Sequence, residues 1–111
     1  MGYTLKVYQT ENGVKPLMDW LRGLKDQKVR TAIQLRLNRM ELGNFGHCKS
    51  VGEGVSELKV DVGPGYRVYL SRIKETVILL LLGGSKSSQF RDIRKTKEFL
   101  NEDTTRQNEK R

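Results

Sequence analysis

The chain has 111 residues, 36% of them hydrophobic, and 21 Lys and Arg against 13 Asp and Glu, a formal net charge of +8. That length fits one domain, and the cationic excess favours a partner rich in phosphates or carboxylates, or an anionic membrane surface. Cys48 is the only cysteine, which excludes an intramolecular disulfide and a cysteine-rich zinc site. No apolar run has the length of a membrane-spanning helix. The first residues read as a strand rather than a signal peptide, so the expected location is cytoplasmic.

"YTLKVYQ" alternates, with Tyr3, Leu5 and Val7 on one face and Thr4, Lys6 and Tyr8 on the other, which predicts a strand. After Glu11-Asn12-Gly13, residues Val14, Leu17, Met18, Leu21 and Leu24 recur at helical spacing; Pro16 suits a first turn and Trp20 flanks the stripe. Asp26 is a ready N-cap for a second helix. Its apolar stripe is Val29, Ile33, Leu37 and Met40, its other faces carry Lys28, Arg30, Arg36 and Arg39, and Gly43-Asn44 ends it. The short join predicts an antiparallel helix hairpin. "NFGHCKSVGEG" reads as a loop. "VSELKVDV" alternates again and opens a meander of three strands. Val77 to Leu82, apolar on both faces, predicts an interior strand covered on both sides. Ser87 or Ser88 is placed to cap a last helix carrying Phe90, Ile93 and Leu100. Residues 101–111 contain no apolar residue and read as a frayed or disordered tail beyond a single domain of residues 1–100. The expected class is α+β, with a mainly antiparallel four-stranded sheet, an N-terminal helix hairpin and a C-terminal helix.

If Gly63-Pro64-Gly65 is a three-residue hairpin loop, Val62 faces Tyr66. Leu58, Val60, Val62, Val68 and Leu70 then share the core face, and Glu57, Lys59, Asp61, Arg67, Tyr69 and Ser71 the other. Arg67 lies across from Asp61, and Tyr69 across from Lys59. The apolar strand, folding back alongside, delivers Lys86 near Arg67. Lys59, Arg67 and Lys86 therefore converge at one end of the sheet.

The segments "WLRGLKD", "GNFG", "GVSELKVDVGPGYRVYL" and "LLLLGGSKSSQFRDI" resemble the phage-derived addiction-module killer proteins, a HigB-like branch of the RelE/ParE toxin superfamily. The resemblance runs from about Thr10 to about Glu98 and implies a small RelE-like fold. It also implies the toxin of a type II toxin–antitoxin pair. RelE-like members enter the ribosomal A site and cut mRNA there. Their antitoxin is a separate protein, in this branch usually a helix-turn-helix DNA binder. ParE-like members share the fold and poison DNA gyrase, which is the alternative expectation, as is a toxin that has lost activity. By position, Arg67 matches the arginine that contacts the reacting phosphate. Lys59 matches one of two lysines on the preceding strand, while Glu57 occupies the place of the other. Lys86 falls near the basic pair after the last strand. Ile93 stands where RelE carries a tyrosine, and His47 where relatives commonly have an acidic residue.

RNA carries its own nucleophile, so an endonuclease must orient the 2′-hydroxyl, stabilise charge on phosphorus and protonate the leaving 5′-oxygen. Arg67 suits the electrostatic role, because a guanidinium matches phosphate oxygens. Lys59 and Lys86 are candidates for moving a proton, with Glu57 and His47 as further acid–base candidates. Tyr69 or Tyr66 can stack on an unpaired base, and Lys49, Gln89 and Arg91 are candidate RNA contacts. Gly83-Gly84-Ser85-Lys86 lacks P-loop spacing and reads as a tight exit from a strand. No metal-ligating cluster is visible, and this chemistry calls for no metal or cofactor.

Overall fold

The computed structural model describes residues 2–110. The elements in chain order are β1 (Thr4–Val7), α1 (Pro16–Gly23), α2 (Gln27–Glu41), β2 (Cys48–Gly52), β3 (Val55–Val60), β4 (Tyr66–Lys74), β5 (Val77–Ser85), a short 3-10 turn (Lys86–Ser88) and α3 (Gln89–Glu109). The class is α+β. Five strands, one more than expected, form a mixed sheet in the order β1-β5-β4-β3-β2. β1 runs parallel to β5, while the other pairs are antiparallel. The chain reaches this arrangement because α1 and α2 carry it across one face between β1 and the meander, as a crossover must. Among the described residues, no helix is long and apolar enough to cross a membrane.

The helix hairpin forms as its sequence dictates. Pro16 opens α1, and the Asp26 side chain accepts from the Lys28 N–H at 2.9 Å to cap α2. Val14 lies outside α1 and is exposed. Val29, Ile33, Leu37 and Met40 of α2 and Leu17 of α1 are buried against Leu58, Val60, Val68, Leu70, Ile78 and Leu80. On the opposite face, Tyr8, Leu79 and Leu81 are buried, packed against Phe99 and Leu100 of α3. β5 thus sends alternate residues into two cores, which is why its sequence is apolar without interruption.

Three local expectations are corrected. Part of the expected loop is β2, an edge strand joined to β3 through Gly52, Glu53 and Gly54, all at positive φ. Its polar sequence suits an edge and hides it from a periodicity reading. The β3–β4 pairing is Val60 with Tyr66, so residues 61–65 form the connection and the register slides by two residues from the expected one. A slide of two preserves which face each side chain takes. Val68 and Leu70 therefore still point to the core, but Arg67 now lies opposite Lys59 rather than Asp61. Phe90, expected on the apolar stripe of the last helix, is exposed.

The expected frayed tail is also helical: α3 continues to Glu109, and position 111 lies outside the described residues. Tyr8 Oη donates to Glu102 at 3.1 Å, and Arg106 donates to the Gln9 carbonyl at 2.7 Å. The Arg106 guanidinium lies 5.5 Å from the Tyr8 ring centre. Polar contacts with Tyr8 and Gln9, just beyond β1, rather than an apolar stripe, order this segment. Burial, then the Glu102 hydrogen bond and charge, push the Tyr8 pKa up to about 12. A phenol whose folded pKa is raised keeps its stabilising contribution below its unfolded value of about 10 and loses it as pH rises through 12. Melting temperature should therefore fall over that window. Tyr8→Phe should cost about 1–2 kcal/mol at neutral pH and flatten that alkaline decline; an unchanged decline would place its origin elsewhere.

Candidate functional site

The site is built where β3, β4 and β5 lie side by side. The pairing sets Lys59, Arg67 and Gly84 in one row across the three strands. Two cations directly opposite each other weaken a sheet by roughly 0.2–1 kcal/mol, so this row is not explained by strand stability. Gly84 is required for a different reason. A Cβ there would run into the Asp92 carboxylate of α3, which accepts from the Ser88 hydroxyl at 2.5 Å. The glycine lets the first turn of α3 settle onto the sheet beside Arg67.

Arg67 is 6% exposed and Glu57 2%. The guanidinium Nε donates to Glu57 Oε1 at 3.2 Å, and Gln89 Nε2 donates to the other carboxylate oxygen at 2.8 Å. Both Glu57 oxygens are therefore engaged, and the carboxylate holds the arginine from behind. The front of the guanidinium is different. Arg67 Nη1 is buried and has no hydrogen-bond partner among the described residues. Leaving such a donor unpaired costs on the order of 1–3 kcal/mol, and more for a charged group.

Two clefts meet at this arginine. One, of about 310 Å³, is walled by Lys59, Arg67, Lys86 and the 61–65 connection. The other, of about 80 Å³, is lined by His47, Lys49, Glu57, Lys59 and Arg67. Lys59 pairs with Asp61 at 3.8 Å. Lys86 is exposed, and its N–H donates to the Gly65 carbonyl at 3.2 Å, tying the strand exit to the hairpin connection. The three expected cations do converge, and His47 and Lys49 join them from the side of β2.

Other expected site residues fall elsewhere. Tyr69 is fully buried under α3, burial pushes its phenol pKa up, and its hydroxyl has no partner among the described residues. It is not available to stack on a base. Tyr66 is half-buried, with its ring centre 6.1 Å from that of Trp20. Gln89 is held by Glu57 rather than free for a ligand. Arg91 is exposed on α3 and lines neither cleft. Sequence reasoning missed Arg36, counted among the outward cations of α2. It donates to the Lys59 carbonyl at 2.6 Å and to the Phe45 carbonyl at 3.4 Å, fixing β3 and the segment leading to His47. Cys48, next to His47, is half-buried; burial pushes its thiol pKa up while Arg36 pulls it down.

No family model matches the chain. Over 83 residues it is 43% identical to a Haemophilus influenzae protein described as uncharacterized, and the match covers 75% of this chain and 84% of the relative. At that identity and coverage, the chain belongs to the same family as the Haemophilus influenzae protein.

Proposed function

We propose that the protein is the toxin of a type II toxin–antitoxin pair, with a RelE-like fold, and that it cleaves mRNA on the ribosome without a metal ion. The observation that carries this reading is the buried Arg67 guanidinium. It is braced from behind by Glu57, and its Nη1 has no partner at the meeting of two cationic clefts. A phosphate supplies the missing acceptor, and a buried cation acts on it more strongly than an exposed one because water screens less.

In this mechanism, the 61–65 connection gives way so that Arg67 Nη1, buried in the free protein, contacts a non-bridging oxygen of the scissile phosphate and stabilises the charge that builds there. Lys59 and Lys86 neutralise the remaining phosphate charge. The 2′-hydroxyl loses its proton and its oxygen bonds to phosphorus. The bond from phosphorus to the 5′-oxygen breaks, and that oxygen takes up a proton. The products are a 2′,3′-cyclic phosphate and a 5′-hydroxyl. His47 and Lys59, which share the smaller cleft, are placed to accept the first proton, and Lys86 is placed to supply the second. Glu57, with both oxygens engaged, is a positioning residue in this scheme rather than a base. The expected partners are the ribosomal A site with its mRNA, and a helix-turn-helix antitoxin. An acidic segment of that antitoxin would associate quickly with the cationic clefts and cover Arg67.

Induction without the antitoxin tests the reading. Growth should stop, translation should fall before DNA supercoiling changes, and new RNA 5′ ends should map inside translated messages. Gyrase-linked DNA breaks appearing first, with messages intact, would replace this reading with gyrase poisoning.

A further inference from the structure

Phe90 is 93% exposed at the start of α3. It directly follows Gln89, which is hydrogen-bonded to Glu57, and lies one helical turn after Lys86 of the larger cleft. Cations are concentrated in the first half of the helix: residues 89–98 contain Arg91, Arg94, Lys95 and Lys97 against Asp92 and Glu98. Two of these cations have structural work: Lys97 pairs with Glu53 at 3.2 Å, and Lys95 lies 5.8 Å from the Phe99 ring centre. Arg91 and Arg94 are exposed and form no ion pair among the described residues.

An exposed aromatic ring flanked by unpaired arginines, one turn from a cationic cleft of about 310 Å³, matches single-stranded RNA. Unpaired bases offer flat π faces, and the backbone between them carries one negative charge per nucleotide. We propose that Phe90 stacks on a base flanking the phosphate held by Arg67, and that Arg91 and Arg94 hold the adjoining backbone. The inference rests on the RNA reading of the clefts. It assigns to Phe90 the stacking role that the buried Tyr69 cannot fill.

The probes are a fluorescent single-stranded oligoadenylate and an abasic oligonucleotide of equal length, each titrated against the whole protein by anisotropy. Phe90→Ala should weaken oligoadenylate binding about tenfold, leave abasic binding unchanged and melt like wild type. Phe90→Trp should restore binding, with its added emission quenched by the bases. The proposal is overturned if wild type ignores oligoadenylate, if Phe90→Ala binds it normally, or if both probes are weakened alike. It is also overturned if Phe90→Ala loosens only the antitoxin complex, which would assign the ring to a protein partner. Base-dependent binding through Phe90 without ribosomal cleavage would uphold stacking and remove the endonuclease reading. Normal cleavage with Phe90-independent binding would remove stacking alone.

Discussion

Arg67→Ala is expected to abolish growth arrest and to lower the melting temperature sharply. Two separate effects combine. Loss of one transition-state contact of roughly 3 kcal/mol corresponds to a rate drop on the order of a hundredfold. Removal of the guanidinium also leaves Glu57, 2% exposed, as an uncompensated buried carboxylate. Breaking a buried pair from one side costs about 3–5 kcal/mol, a large part of the roughly 5–15 kcal/mol that holds a domain together. Strand alternation alone predicts that Arg67 can be removed without harm to the fold, because Val60, Val68 and Leu70 face the other way. The burial of its ion pair reverses that expectation.

A double variant separates the two effects. Arg67→Met with Glu57→Gln fills a similar volume, removes both charges and leaves an amide for Gln89 to bond. Replacing a buried pair in this way is often neutral for stability, so the double variant should melt near wild type and bind the antitoxin. It should still fail to cleave messages on ribosomes. Arg67→Lys should keep much of the stability and little of the activity, since a point charge cannot both answer Glu57 and present a second donor to phosphate. If the double variant melts normally and cleaves at a near-normal rate, Arg67 is only the buried partner of Glu57.

The second large effect is expected at Gly84, opposite Arg67 on β5. An added methyl collides with the Asp92 carboxylate and crowds the Ser88 hydroxyl. Neither neighbour is a loose surface side chain: Asp92 accepts from Ser88, and Thr96 donates to the Asp92 carbonyl at 2.7 Å. The first turn of α3 must lift, carrying Gln89 away from Glu57. Gly84→Ala should cost about 1–3 kcal/mol, the usual range for overpacking. Cleavage should fall more than that stability loss explains, because Glu57 and Arg67 lose their fixed geometry. Melting and cleavage measured well below the transition decide it. A variant that is destabilised yet cleaves normally would show that the α3 contact serves the fold alone.

The difference between what was legible and what was not has a physical basis. Hydrophobic periodicity is local and depends only on which side chains share a face. The α2 stripe of Val29, Ile33, Leu37 and Met40, the two-sided burial of β5 and the shared face of Lys59 and Arg67 could therefore be read directly. Asp26 as a cap and Pro16 as a first-turn residue are equally local, each acting on backbone within one turn. Pairing is not local. The β3–β4 register, the parallel docking of β1 on β5 and the recruitment of β2 all depend on how the connections close and which edges remain free. A slide of two residues left every face correct but changed the residue opposite Arg67.

The same limit governed the candidate site. Composition and alternation brought Arg67, Lys59 and Lys86 to one end of the sheet. Burial assigned their roles, and it is a property of what α3 covers. The helix hides Tyr69, engages Glu57 through Gln89 and leaves Phe90 outside, whereas periodicity alone puts Tyr69 on the open face of the sheet and Phe90 on an inward stripe. It continues through the polar segment 101–109 because Tyr8 and Gln9, distant in the chain, supply partners for Glu102 and Arg106. The sequence by itself determined the α+β class, the helix hairpin, the faces of the three meander strands and the cationic character of the site. Only the tertiary structure decided which charges are buried, which are paired and which donor is left free, because desolvation and hydrogen-bond partners arise from segments brought together by the fold.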